Sequence, residues 1–229
     1  MILKVENLSV WKGEKKILDN VNLLAKSGNI VAILGPNGSG KTTLFRAIIN
    51  DPDLKKEGRI YLDGEDITDK PTEEIAKKIY MVFDSPPQFE YINTRVLLKN
   101  VLSEYDEEKV YKLMELLKLP KDLLERGVNY KLSAGEKKKF EILLMLLKDP
   151  NVILLDEVDS GLDADSILLV RDILKKEREK GKLILAITHV AKIFQGLYPD
   201  DVYVMKNGNA IHADINTLKE VIEHGYGNI

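Results

Sequence analysis

The segment that most constrains this chain is a glycine-rich run near its N-terminal end, Gly35-Pro36-Asn37-Gly38-Ser39-Gly40-Lys41-Thr42. Its spacing matches G-x-x-x-x-G-K-[ST] in full. The five apolar residues before it predict a strand buried on both faces, and residues 41–50 predict a helix. Glycines permit a tight turn whose backbone N–H groups point inward, and a helix N-terminus adds positive potential. The sequence therefore predicts a phosphate-binding loop between a strand and a helix.

The loop and the threonine after it are predicted to hold a nucleoside triphosphate. The predicted binding residues are Gly35, Pro36, Asn37, Gly38, Ser39, Gly40, Lys41, Thr42 and Thr43. Lys41 is expected to reach the β- and γ-phosphates, Thr42 to ligate Mg²⁺ through its hydroxyl, and Thr43 to lie near the α-phosphate. The alternative is an ordinary glycine-rich turn, but a chance match arises in only about one chain in a hundred of this length.

Composition narrows the class of protein. The 229 residues carry a net charge of −3 and are 44% hydrophobic and 31% charged, which favours one large α/β domain with an apolar core. No cysteine is present, so neither a disulfide nor a thiolate metal site forms within the chain. No apolar run is long enough to cross a bilayer, and the start lacks the features of a signal peptide. A cytoplasmic setting is expected, and nucleic acid is not an expected partner.

Strands and helices alternate along the rest of the chain. Further buried strands are predicted at 79–83, 152–155 and 183–188. Antiparallel strands are predicted in residues 1–24 and in hairpins turning at Asp63-Gly64 and Asn207-Gly208. This pattern predicts a phosphate-loop NTPase core, with a mainly parallel sheet and antiparallel strands at its edge.

One stretch breaks the alternation. Residues 85–132 show a period of 3.6 without a strand-like run, which predicts an inserted helical subdomain. We therefore expect a single domain over 1–229. Its nucleotide-binding core, with a β subdomain, covers 1–84 and 133–229, and the helical subdomain covers 85–132.

Two acids end the apolar run at 152–155. Asp156 lies at the carboxyl end of the predicted strand, where it is expected to support Mg²⁺ beside Thr42. Glu157 lies one residue further, where it is expected to polarise an attacking water. An isolated strand of this kind often ends at a solvated turn with no function, so the prediction depends on the phosphate-binding loop.

A third motif, Leu132-Ser133-Ala134-Gly135-Glu136, precedes Asp156 by 23 residues counted from Ser133. Ser133 and Glu136 form S-x-x-E, which predicts a capping box at the start of a helix. A capped helix N-terminus is also an anion site, so a structural and a functional reading are compatible. With the loop and the paired acids, this motif resembles the L-S-G-G-Q signature of ATP-binding-cassette ATPases. Ala134 and Glu136 replace a glycine and the glutamine.

The resemblance implies a composite ATP site in a head-to-tail homodimer. Ser133, Gly135 and Glu136 of one protomer then contact the ATP held by the loop of the other. Trp11, which lies 24 residues before Gly35, occupies the family's place for an aromatic ring stacked on adenine. The alternative for a lone Trp is simple packing.

Two further family positions follow Glu157. Asp163 ends the run Asp159-Ser160-Gly161-Leu162-Asp163, which matches the family's D-loop. His189 matches the family's switch histidine, which contacts the γ-phosphate and is counted among the catalytic residues with Glu157 and Lys41. A lone histidine is more often structural.

One family position departs from the pattern. The family has a glutamine after the strand that precedes the helical subdomain, and Asp84 stands in that place here. Gln88 lies four residues further on. An acid at this position is expected either to ligate Mg²⁺ or to repel ATP when the metal is absent.

Several stretches are more specific. The run Asp156-Glu157-Val158-Asp159-Ser160-Gly161-Leu162-Asp163, residues 135–143 and the ending Gly225-Tyr226-Gly227 resemble the SufC family, the ATPases of Suf iron–sulfur cluster assembly. This resemblance implies SufB- and SufD-like scaffold partners that bind the helical subdomain. The alternative partner is a transmembrane permease chain, with this chain as the ATPase subunit of a transporter. A third class, cassette proteins acting on DNA or ribosomes, has long coiled coils or two cassettes, which 229 residues without a heptad tract do not fit.

Overall fold

The computed structural model describes residues 1–188 and 192–224. Within them twelve strands form: β1 Ile2–Lys12, β2 Lys15–Lys26, β3 Ile30–Leu34, β4 Leu54–Leu62, β5 Glu65–Asp66, β6 Ile79–Val82, β7 Phe89–Asn93, β8 Gly127–Val128, β9 Val152–Asp156, β10 Leu183–Ile187, β11 Asp201–Lys206 and β12 Asn209–Ala213. Seven α-helices of the described chain accompany them: α1 Lys41–Ile48, α2 Thr72–Ile75, α3 Thr94–Val101, α4 Glu107–Leu116, α5 Ala134–Lys148, α6 Ala164–Glu179 and α7 Ile215–His224.

A six-stranded sheet forms the centre of the fold, in the order β12-β11-β3-β10-β9-β6. All neighbours are parallel except β11 and β12, which form an antiparallel hairpin at one edge. Every residue of β3, β9 and β10 is buried, as their unbroken apolar runs predict. The expected parallel core with an antiparallel edge is confirmed.

The N-terminal strands form a separate antiparallel sheet, in the order β2-β1-β4-β5. Its apolar face packs on one side of the central sheet, together with α1, in a single buried cluster. Helices α3 to α6 contribute to a second cluster on the other side. The central sheet is therefore covered on both faces, as a parallel sheet requires.

The inserted stretch 85–132 contains α3 and α4, but the expectation that it holds no strand is wrong. Strands β7 and β8 pair antiparallel at its base, with Phe89 opposite Val128 and Asn93 opposite Gly127. Local pattern did not reveal this pair, because β7 is mostly exposed and its partner is two residues long and distant in sequence. The subdomain limits at 84/85 and 132/133 stay a prediction.

The boundaries of helices and strands follow local signals. Helix α6 ends before Gly181, which has a φ of 82°, the left-handed conformation expected just after a helix. Helix α5 starts after Ser133, as the S-x-x-E pattern predicts. In the described part of the chain, none of the helices has the length and apolarity needed to span a bilayer.

Candidate active site

The predicted site residues gather where the parallel strands of the central sheet end. The glycine-rich loop follows β3, Asp156 ends β9, and Asp84 follows β6 by two residues. Strand β10 lies between β3 and β9, so the loop and Asp156 approach each other across one intervening strand. Because carboxyl ends of parallel strands lie at one edge, residues distant in sequence share a site.

Two glycines of the loop are required by its close packing. Gly35 has a φ of 146°, and a Cβ there would lie 2.3 Å from the carbonyl oxygen of Met205. Gly40 has a φ of 102°, and its Cβ would lie 2.5 Å from a methyl carbon of Leu18. A side chain is strained at either φ, and at Gly35 its Cβ would also clash with a backbone atom that cannot easily move. The main chain of the loop therefore runs in close contact with Met205 and Leu18.

Lys41 folds back over the loop. Its ammonium donates to the carbonyl oxygens of Gly35 at 2.8 Å and Pro36 at 3.0 Å, and the side chain is buried. Burial lowers the pKa of Lys41, while the charges of Glu157 and Asp156 oppose that shift. The loop thus holds one cation at its centre.

Thr42 and Asp156 form the pair expected to hold a metal. The Thr42 hydroxyl donates to Asp156 Oδ1 at 3.1 Å. The pKa of Asp156 is raised to about 6, chiefly by burial, and the charges of the nearby acids Glu157 and Asp84 act in the same direction. The charged form of the Asp156 carboxyl group is therefore disfavoured in the free protein. A divalent cation at this place would favour the charged form by supplying positive charge.

Glu157 has an unusual backbone. Its φ is 49°, in the left-handed region that non-glycine residues rarely adopt. Its N–H donates to the carbonyl of Ile187 at 3.0 Å, and its own carbonyl accepts from Ser160 at 3.0 Å. Such conformations are found at functional sites, where surrounding structure maintains them. The sequence placed an acid here but did not indicate this strain.

Two open cavities meet at this edge. One, of about 500 Å³, brings together the loop residues Asn37, Gly38, Gly40, Lys41, Thr42 and Thr43. The other, of about 530 Å³, extends past Asp84 and Asp156, and Thr42 and Glu157 line both. Their sizes are in the range of small-ligand sites. Lys15 and Ile17 of β2 also line the first cavity, although no sequence motif singled them out.

Trp11 lies on β1, the neighbour of the strand that carries Lys15 and Ile17. It pairs across the sheet with Lys16 on one side and Lys55 on the other. The two ammonium groups lie 5.2 Å and 5.6 Å from its ring centroid, within cation–π range. Among the described residues, those lining the loop cavity do not include Trp11. Its role at adenine stays a prediction.

The capping box at the start of α5 is confirmed. The backbone N–H of Ser133 donates to Glu136 Oε2 at 2.8 Å, and the N–H of Glu136 donates to the Ser133 hydroxyl oxygen at 3.2 Å. The bonds from Ser133 lower the pKa of Glu136. The predicted ATP contacts of Ser133, Gly135 and Glu136 in a dimer stay predictions.

The two segments expected to face a partner lie side by side. A Cβ on Gly135 would be 3.2 Å from the carbonyl oxygen of Gly161, so the start of α5 touches the turn before α6. Asp163 caps α6 by accepting from the N–H of Ser166 at 2.7 Å. The structure thus gives Asp163 a local role in addition to its predicted one.

Asp84 is paired with a residue that sequence reasoning did not select. Its Oδ1 lies 3.3 Å from the ammonium of Lys138, a buried lysine in the second turn of α5. Lys138 lies within residues 135–143, which resemble the SufC family, but no motif distinguishes it from Lys137 and Lys139 in the same run of three lysines. The predicted metal contact of Asp84 stays a prediction. His189 and residues 225–227 lie outside the described residues.

The residues present fit Mg²⁺-ATP. The loop brings the Lys41 ammonium and the start of α1 to one place, and Ser39 Oγ in the same loop is buried without a hydrogen-bond partner among the described residues. Thr42 and Asp156 supply the hydroxyl and carboxylate oxygens that Mg²⁺ accepts beside phosphate oxygens. Glu157, Lys41 and the glycine-rich loop therefore line the same cavity.

Comparison with known proteins agrees with this geometry. A family model described as ABC transporter matches residues 18–160, more than half of the chain. SufC of Escherichia coli K12, described as a probable ATP-dependent transporter, is 33% identical over 99% of this chain and 98% of its own length. A probable ABC transporter ATP-binding protein of Streptococcus pyogenes serotype M1 is 34% identical over 100% and 94%. The probable ATP-dependent transporter ycf16 of Cyanidium caldarium is 30% identical over 98% and 95%.

Solved structures share the fold. A nucleotide-free ATP-binding cassette from an ABC transporter aligns with a TM-score of 0.76 at 31% identity, covering 97% of this chain and 95% of the other. A dimeric cassette in a post-hydrolysis state, bound to ADP and Pi, aligns with a TM-score of 0.78 at 25% identity, covering 93% and 98%. On fold, site and sequence together, this chain belongs to the ATP-binding-cassette family, whose members bind ATP with Mg²⁺, hydrolyse it and form dimers.

Proposed function

We propose that this ATPase is the SufC-like subunit of an iron–sulfur cluster assembly machine, working in the cytoplasm on a SufB/SufD-like scaffold. The observation that carries the proposal is the 33% identity to Escherichia coli SufC along nearly the whole of both chains. Residues 135–143 and the run Asp159-Ser160-Gly161-Leu162-Asp163, which resemble the SufC family, support it. Dimerisation driven by ATP then rearranges the scaffold.

The site residues divide the work of hydrolysis. Thr42 and Asp156 hold Mg²⁺, which supplies positive charge to the phosphate oxygens. Lys41 contacts the β- and γ-phosphates, and His189 the γ-phosphate. Glu157 orients the water whose oxygen attacks the γ-phosphorus as the bond to the β–γ bridging oxygen breaks, giving ADP and phosphate.

The dimer completes the site. In the head-to-tail arrangement Ser133, Gly135 and Glu136 of one protomer lie over the phosphates bound by the other. The start of α5 suits this role, because its capping box fixes the conformation of the first turn. Asp163, beside this surface, contacts the partner's site, and Trp11 contacts the adenine.

The helical subdomain is proposed to bind the scaffold. Most of the exposed large apolar side chains of the described residues lie in or beside it, and these are Phe89, Tyr91, Ile92, Val96, Tyr111 and Leu116. Tyr91 is 96% exposed, on the outer strand β7. Exposed apolar and aromatic side chains mark surfaces that associate with other proteins.

A second candidate is the ATPase subunit of a membrane transporter, with a transmembrane permease chain as its partner. The 34% identity to the Streptococcus pyogenes ATP-binding protein favours it. Both candidates use the same ATP site, so the partner distinguishes them.

Affinity purification of the tagged chain from its native cell tests the proposal. We expect SufB- and SufD-like proteins to copurify with wild type but not with Tyr91→Glu. Ile211→Glu, which changes an apolar residue 62% exposed on β12, is the matched control and should retain them. Recovery of an integral membrane chain in place of the scaffold supports the transporter and contradicts our proposal.

A further inference from the structure

The charged network behind the ATP site centres on Lys138. Its side chain is 4% exposed, and its ammonium donates to the carbonyl oxygens of Phe83 at 3.0 Å and Asp156 at 3.1 Å. The third contact is the carboxylate of Asp84 at 3.3 Å. An ammonium has three donors, so these contacts saturate it. Lys138 therefore has no hydrogen left to donate to a bound phosphate.

The three contacts join separate elements of the fold. Phe83 and Asp84 follow β6, Asp156 ends the neighbouring strand β9, and Lys138 lies in α5, which begins at the signature motif. Lys138 therefore contacts both Asp156, the acid proposed to bind the metal at the end of β9, and Asp84, at the family's glutamine position. A buried charge is tolerated only where an opposite charge and hydrogen bonds compensate it.

Asp84 adds a negative charge to an edge that already has Asp156 and Glu157, and all three line one cavity. A triphosphate brings still more negative charge. We propose that Lys138 is a positioning residue that balances the charge of Asp84 and so allows an acid to occupy this edge of the ATP site. In this chain Asp84 and Lys138 act as a charge pair. The pair connects the edge of the site that carries Asp156 to α5, the helix that begins at the signature motif.

The inference rests on ATP binding and not on the Suf role, so a failed scaffold purification leaves it unaffected. ATP affinity is measured by titration calorimetry, once in EDTA and once in excess Mg²⁺. The variants are Lys138→Gln, which keeps a donor and removes the charge, Asp84→Asn, and the two combined. Lys137→Gln is the matched control, because the hydrogen bond of the Lys137 ammonium within the described residues goes to the neutral amide of Gln88, at 3.2 Å.

Charge balance predicts a specific pattern. In EDTA, Lys138→Gln should raise the Kd of ATP by about tenfold or more, the size of effect that one close charge produces. Asp84→Asn alone should lower the Kd, and the double variant should return to within about threefold of wild type. In excess Mg²⁺ the penalty of Lys138→Gln should shrink, because the metal supplies positive charge. Lys137→Gln should change the Kd by less than about threefold in either buffer.

Three outcomes overturn the inference. The first is equal weakening by Lys138→Gln in EDTA and in Mg²⁺, as a merely structural lysine would give. The second is additive effects of the two substitutions. The third is a raised Mg²⁺ requirement in Asp84→Asn whether or not Lys138 is charged, which makes Asp84 a metal ligand in its own right. If Lys138→Gln does not fold, Asp84→Asn still decides, because unchanged or weaker ATP binding in EDTA contradicts the proposal.

Discussion

Glu141 is a carboxyl group buried inside α5, one turn after Lys138, and its removal should change how stability depends on pH. The side chain is 4% exposed, and its Oε2 lies 3.5 Å from the hydroxyl of Tyr80. Burial raises the pKa of Glu141 to about 7, while the N–H of Phe83, the charge of Lys138 and the Tyr80 hydroxyl oppose the shift. The substitution Glu141→Gln keeps the shape and removes the ionisation.

The sign follows from proton binding. The folded protein holds this proton up to about pH 7, whereas an unfolded chain releases it near 4.5. The folded state is therefore favoured most at low pH, and the contribution is lost as pH rises from about 4.5 to about 7. A shift of this size corresponds to about 3 kcal/mol at about 1.4 kcal/mol per unit. Glu141→Gln should thus be close to wild type at pH 4.5 and more stable by up to about 3 kcal/mol at pH 8.

Urea unfolding of both proteins at pH 5 and pH 8 measures this difference. Glu115→Gln, an exposed residue of α4, is the matched control and should differ from wild type by less than about 0.5 kcal/mol at both values. Comparing variant with wild type at each pH cancels the other titrating groups. A difference between Glu141→Gln and wild type that is the same at pH 5 and pH 8 refutes the reasoning.

Three further predictions concern the ATP site. Glu157→Gln should accumulate as an ATP-bound dimer in size-exclusion chromatography with Mg²⁺-ATP, and a monomer at saturating nucleotide contradicts the head-to-tail model. Gly35→Ala should lose about 2 kcal/mol of unfolding free energy or more, together with ATP binding, because its Cβ meets Met205 O; stability equal to wild type in a denaturant titration contradicts this. Trp11 is the only tryptophan, so stacking on adenine should quench the protein's fluorescence during an ATP titration, and unchanged emission argues against stacking.

Local signals in the sequence were enough to identify the family and the main elements. The loop 35–42, the acids that end β9 and the S-x-x-E capping box each have a pattern set by neighbouring residues. Unbroken apolar runs gave the buried strands, because a strand covered on both faces needs apolar residues throughout. Each of these signals depends on residues that are close together in the sequence, so it can be recognised from one sequence without a structure.

The tertiary structure alone decided which distant residues meet. The sequence did not reveal that β10 separates β3 from β9, that β7 pairs with β8, or that Glu157 has a positive φ. Nor did it distinguish Lys138 from Lys137 and Lys139, the lysines on either side of it. Its burial and its bond to Asp84 arise only when α5 packs beside the ends of β6 and β9. Strand order and charge pairing depend on contacts between segments far apart along the chain, and no local pattern encodes them.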